Sequence, residues 1–139
     1  MIRGPRSSDQ AFIASTWVRS MSGVGGRKLG RDGGLVAKRI DDVFDRGDTR
    51  ALVRHAAGDQ DRIMGWVVYV DGPGVPVAHY LYVRKEHRGK GIGAELLTAV
   101  GIRREATFVY TCLGPSTRQI VTAYPLGVHM PLKEFLCPS

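Results

Sequence analysis

Between residues 77 and 97 the chain reads Val-Ala-His-Tyr-Leu-Tyr-Val, then Arg-Lys-Glu-His, then Arg88-Gly-Lys-Gly-Ile-Gly93, then Ala-Glu-Leu-Leu; no other segment limits the fold so tightly. The β-branched and aromatic run predicts a strand over residues 76–84. Ala94, Leu96, Leu97 and Val100 predict a helix over 91–104 that buries one side against a sheet. Glycines occupy positions 89, 91 and 93 of the joint between them. The first amides of a helix lack partners within it and carry the positive end of its dipole, so they bind phosphate wherever no side chain blocks the approach. Glycine removes the block, and Arg88 and Lys90 add positive charge. Taken alone, a glycine-rich joint is more often a structural loop.

The remaining elements are predicted from period and punctuation. Ser7-Ser8-Asp9 supplies N-cap candidates for a helix over 8–21, with Phe12, Ile13, Thr16, Trp17 and Ser20 at helical spacing. Residues 22–34, with six glycines in thirteen positions, predict a mobile loop. A second helix is expected over 35–45, ending before Gly47. Strands are expected over 51–57 and 63–70, joined through Gly58–Asp61, with another turn at 71–74 before the central strand. A strand over 106–112 and a short helix over 115–123 follow, and 128–136 is a weaker strand candidate. Three successive strands make an antiparallel meander, so the fold class is α/β of the α+β type: a mixed, mostly antiparallel central sheet with helices on both faces.

With 139 residues, 43% of them hydrophobic, a single domain spanning 1–139 is expected. No apolar run approaches the roughly 18 residues of a membrane span, and the opening Met-Ile-Arg-Gly-Pro-Arg-Ser-Ser lacks a signal-type apolar stretch. We therefore expect a cytoplasmic protein without a membrane partner, acting as monomer or homodimer. Cys112 and Cys137 make neither a disulfide framework nor a zinc pattern and are expected as free thiols. His55, His79, His87 and His129 have no metal-ligand spacing among themselves or with the cysteines, so no metal is expected. The net charge of +7 favours an anionic partner, with coenzyme A, nucleic acid and a merely solubilising surface all open.

Leu81-x-Val83, Arg88-x-x-Gly91-x-Gly93 and Leu96-Leu97 together resemble the acetyl-coenzyme-A motif of the GNAT superfamily of N-acyltransferases, and the order of elements resembles that family too. The resemblance implies acetyl-CoA as cofactor. Arg88, Gly89, Lys90, Gly91, Ile92 and Gly93 would hold the pyrophosphate, while the main chain of Leu81, Tyr82 and Val83 would pair with the pantetheine arm like an extra strand. The first strand usual in the family is absent or unrecognisable. Many such enzymes use a tyrosine near the end of the helix after the fifth strand to protonate the departing thiolate, and Tyr124 stands nearest that place. The match departs from the pattern in having Ser116 for the usual asparagine and a Tyr-to-Gly spacing that differs by one. Tyr124 is thus a candidate general acid or a residue packed beneath the tail.

For a general base, His79, Tyr80 and Tyr82 on the central strand come into view, and a lone histidine on a strand is more often a packed or hydrogen-bonded residue. Strand alternation puts Tyr80 and Tyr82 on one face and His79 on the other. Glu86 and His87 are expected to be exposed residues of the turn. The segment Gly23-Val-Gly-Gly-Arg-Lys28 lacks the spacing of a nucleotide loop and is expected to border the acceptor site.

Three functions remain open. The first is acetyl transfer from acetyl-CoA to an amine acceptor, through positioning and an oxyanion contact from a strand amide near Val83. The second is phage-type DNA-base modification on the same fold, since residues 9–20 and 108–112 also resemble a phage and prophage group related to the Mom DNA-modification protein. The third is a basic nucleic-acid-binding module without catalysis. The intact Arg88, Gly91 and Gly93 weigh against the third.

Overall fold

The computed structural model describes residues 1–22, 38, 40–72, 74–111 and 117–131. Alternating burial along residues 49–83 builds the meander: β2 (Thr49–Ala56), β3 (Asp59–Val70) and β4 (Val77–Val83) pair antiparallel in sequence order. A further strand, β1 (Ile2–Arg3), pairs antiparallel with β2, setting Ile2 opposite Arg54 and Arg3 opposite Val53. Of the two alternatives left open for the first strand, absent or unrecognisable in the sequence, the structure gives the second. Two residues carry no period to read, and β1 is held by its surroundings: the Arg3 guanidinium reaches Asp9 at 2.6 Å and the Gln60 carbonyl at 2.9 Å.

Beyond β4 the sheet becomes parallel, through β5 (Phe108–Tyr110) and β6 (Gly127–His129), giving the order β1-β2-β3-β4-β5-β6. Helices lie on both faces. On one face, α1 (Ser7–Ser22) and a helical turn at 40–44 (α2) cover Trp17, Trp66, Tyr80, Val53 and Val68. Trp17 and Tyr80 stack at 5.4 Å, and the Trp66 indole donates to Thr16 Oγ1 at 2.9 Å, which satisfies its buried N–H. On the other face, α3 (Ile92–Ala99) and α4 (Thr117–Ala123) close over Val67, Leu81, Val83, Leu96, Leu97 and Phe108.

One irregularity shapes the central strand. Val68 pairs with Tyr80, but the next residue, Tyr69, pairs with Ala78, so His79 is an extra residue, a β-bulge. Ala78 and Leu81 both pack toward α3, whereas Tyr80 and Tyr82 pack toward α1. Alternation therefore fails across 78–81 and does not set His79 opposite Tyr80. The charges acting on His79 are those of Arg46 and Asp48, which follow α2.

Several boundaries also move. The helix expected over 91–104 ends at Ala99, because Gly101 takes a left-handed φ of 86° and the Ile102 amide turns back to the Leu97 carbonyl at 2.9 Å. β5 is shorter than 106–112: Ala106 sits in a turn, its amide on the Arg103 carbonyl. The hairpin between β2 and β3 turns tightly at Ala57 and Gly58, so β3 starts at Asp59 and residues 59–61 belong to the strand. Ser22 belongs to α1. The rest of the expected loop over 22–34, residues 35–37 of the second helix, 115–116 of the short helix, both cysteines and 132–136 of the tail lie outside the described residues.

Candidate functional site

β4 ends at Val83, and a three-residue 3₁₀ turn, Lys85–His87, leads into the glycine joint. The Arg88 Nε donates to the Val83 carbonyl at 3.0 Å, tying the joint to the strand it follows. Gly89 and Gly91 have φ of 81° and 80°, a left-handed conformation that side-chain-bearing residues rarely adopt. Gly91 is the N-cap of α3 and has no side-chain cap, and a Cβ placed on either glycine would meet nothing within 4 Å. The leading amides of α3 are therefore approachable from outside. Gly93 serves a different purpose: a Cβ there would come within 3.3 Å of Leu81, so its absence lets α3 lie close on β4.

A cleft of about 200 Å³ opens at this joint. Its walls are Leu81 and Val83 of β4, residues 87–89, Gly91, Ile92, Gly93, Ala94 and Leu97 along α3, Arg104, and Ile120, Ala123 and Tyr124 at the end of α4. The charged or titratable side chains on those walls are His87, Arg88, Arg104 and Tyr124, with no carboxylate among the described residues that line it. Such a lining suits an elongated ligand with an apolar arm and anionic groups.

The structure thus gathers Leu81, Val83, Arg88, Gly89, Gly91, Ile92, Gly93 and Tyr124 around one cleft. Tyr124 is buried against Phe108, edge to face at 6.1 Å. The side chains of Tyr82 and His79 lie elsewhere. Tyr82 stacks on Trp66 at 5.6 Å on the α1 face, leaving only its main chain beside Leu81 and Val83. His79 is fully buried, with Nδ1 2.8 Å from Thr111 Oγ1, and burial foremost, then the Arg46 charge, lower its pKa to about 4 against a smaller opposing effect of Asp48. It is neutral at physiological pH. Lys90 is exposed at the joint, its Nζ 3.5 Å from His87 Nδ1.

Two residues of the cleft went unrecognised in the sequence. His87, expected to be exposed, is 7% exposed because the 3₁₀ turn rolls it inward, while Glu86 stays out. Arg104 was assigned to the helix; with α3 ending at Ala99 it swings across to place its guanidinium 5.7 Å from the centroid of the Tyr124 ring. Its one sequence signal was Gly101, a helix terminator placed three residues before it. Among the described residues, no group of three His, Cys, Asp or Glu side chains is arranged to hold a metal, and no helix is long and apolar enough to cross a membrane.

The profile described as "Acetyltransferase (GNAT) domain" matches residues 50–124, more than half of the chain. The protein belongs to the GNAT acetyltransferase family. Solved structures agree on the fold. A ribosomal-protein-alanine N-acetyltransferase from Brucella melitensis is 18% identical, with a TM-score of 0.58 and 88% of each chain covered. A Pyrococcus furiosus protein assigned as an acetyl transferase is 18% identical, with a TM-score of 0.63 and coverage of 88% of this chain and 89% of the other. AAC(6')-Iy, in complex with the bisubstrate analogue CoA-S-monomethyl-acetylneamine, is 13% identical, with a TM-score of 0.53 and coverage of 89% and 88%. No curated sequence matches the chain.

Proposed function

We propose that the protein is an N-acetyltransferase that moves an acetyl group from acetyl-CoA to an amine-bearing acceptor. The observation that carries this reading is the glycine joint: two left-handed glycines with open space beside them, heading α3 at the mouth of a cleft lined by cations and no carboxylate. The residues present fit acetyl-CoA. The amides and side chains of residues 88–93 would take the pyrophosphate, and the main chain of Leu81–Val83 would flank the pantetheine arm. Among the described residues β5 pairs only with Val77 and Ala78 of β4, which supports a free main-chain edge at residues 81–83. The AAC(6')-Iy complex, with its joined CoA and acetylneamine, lends the amine acceptor by analogy of fold.

Acetyl-CoA supplies an acyl thioester, which is activated toward an amine without any metal or redox chemistry. The chain's own contribution is alignment. Tyr124 lines the cleft, and as the general acid it would give its phenolic proton to the sulfur after the C–S bond breaks. A strand amide near Val83 would hold the carbonyl oxygen as charge develops. His79 and Tyr82 pack away from the cleft, which favours a positioning rather than a proton-transfer role for both, the acceptor amine losing its proton to water.

Calorimetric titration with acetyl-CoA tests the reading, using 3′-dephospho-CoA and duplex DNA as comparison ligands. Micromolar binding of acetyl-CoA is expected. Gly91→Val should weaken it by more than about tenfold, a cost above about 1.4 kcal/mol, while circular dichroism stays unchanged. Wild-type protein that binds duplex DNA in a salt-sensitive manner but not acetyl-CoA would overturn the assignment.

A further inference from the structure

Two arginines line the cleft. Arg88 belongs to the glycine joint, and Arg104, which follows the end of α3 in the chain, lies over the ring of Tyr124. α3, whose eight residues span about 12 Å at 1.5 Å per residue, contributes Ile92, Gly93, Ala94 and Leu97 to the wall. A pantetheine arm has the backbone length of about four extended residues, or roughly 14 Å. A ligand whose pyrophosphate sits at the joint and whose arm follows α3 would leave the joint behind, and Arg104 and Tyr124 are the charged or titratable wall residues that lie outside the joint.

We propose that Arg104 stabilises the thiolate that leaves during acyl transfer, from its seat on the Tyr124 ring. The proposal rests on the acetyl-transfer reading above. In the step concerned the acceptor nitrogen forms the C–N bond, the C–S bond breaks, and the sulfur keeps the electron pair. The amine's proton passes to water, the sulfur is then protonated from Tyr124, and the phenolate takes a proton back from water. Arg104 remains a guanidinium throughout and supplies only positive charge. The other charged or titratable groups on the walls are His87 and Arg88 of the joint and Tyr124 itself, so within the cleft no described carboxylate opposes Arg104. The guanidinium is exposed, so solvent screens it and the effect is modest.

The test needs no acceptor. Coenzyme A is bound to the whole protein, and its thiol is titrated through the ultraviolet absorbance of the thiolate. In the wild type the bound thiol should titrate about one pH unit below free coenzyme A in the same buffer, a tenfold gain in acidity. Arg104→Met, which keeps the aliphatic stem on the ring, should return it to the free value, whereas Arg104→Lys should keep part of the shift. Arg103→Met removes a neighbouring exposed arginine that does not line the cleft, and should leave the full shift. A merely structural role for Arg104 predicts altered coenzyme A affinity with an unchanged thiol titration. A bound thiol that titrates like free coenzyme A in the wild type, or equally low in Arg104→Met, overturns the proposal while calorimetric binding upholds the parent reading. Absence of coenzyme A binding in the wild type overturns both.

Discussion

His79 and Asp9 are both buried and titratable, and they respond to pH in separate windows. His79 has a folded pKa of about 4 against an ordinary value of 6.5, so unfolding takes up a proton anywhere between those values. Its contribution to stability is complete above 6.5, declines as the pH falls, and is gone below about 4. The total is on the order of 3 kcal/mol. For Asp9, burial pushes its pKa up, but the Arg3 hydrogen bond, the Arg6 amide and both guanidinium charges prevail, and the net shift is downward from 3.8. Its contribution is lost only below that value. Urea unfolding should therefore show a midpoint that drops from pH 7 to pH 4.5, and His79→Gln should flatten that slope; an unchanged slope would mean that His79 does not titrate on unfolding. At this scale the sequence was an uneven guide. The glycines at 89 and 91 announced their own conformation, because left-handed backbone is what glycine is for. The inward turn of His87 and the reach of Arg104 had no local signature, since a three-residue turn has no period and a long side chain lands where tertiary packing permits.

Among the elements, α1 and the three meander strands lie close to where periodicity put them, because each has one face buried over two or more turns or repeats of its pattern. β1 was invisible for the opposite reason: two residues held by long-range contacts to β2 and Gln60. The bulge in β4 could not be read either, since it is fixed by the partner strand. Gly65 of β3 is a less obvious support. A Cβ there would stand 2.7 Å from the Tyr82 carbonyl oxygen and 3.3 Å from Ile92, pushing on the end of β4 and the start of α3 together. Gly65→Ala should cost about 1–3 kcal/mol in urea unfolding and weaken acetyl-CoA binding as well. Full stability would show that β3 can give way at this point.

For the molecule as a whole, the mixed sheet with helices on both faces followed from the order of the elements, and the family from the joint after β4. The assignment of sides did not follow, because a sequence pattern says which residues are buried but not against which of two layers. A ligand that binds only the folded chain stabilises it by mass action. At a hundredfold excess over its dissociation constant, acetyl-CoA should add about 2.7 kcal/mol and raise Tm by roughly 8 °C for a chain of 139 residues. Gly91→Val at the same ligand concentration should show about half that rise or less, and an equal rise in that variant would place the ligand elsewhere. His79 returns here in another light. Remove it, and Tyr80 and Ala78 become consecutive partners for Val68 and Tyr69, with every remaining side chain of β4 still on its present face. The bend in the strand is thus separable from the architecture that carries it. One added codon in a regular strand suffices to introduce such a bend while leaving both cores as they were.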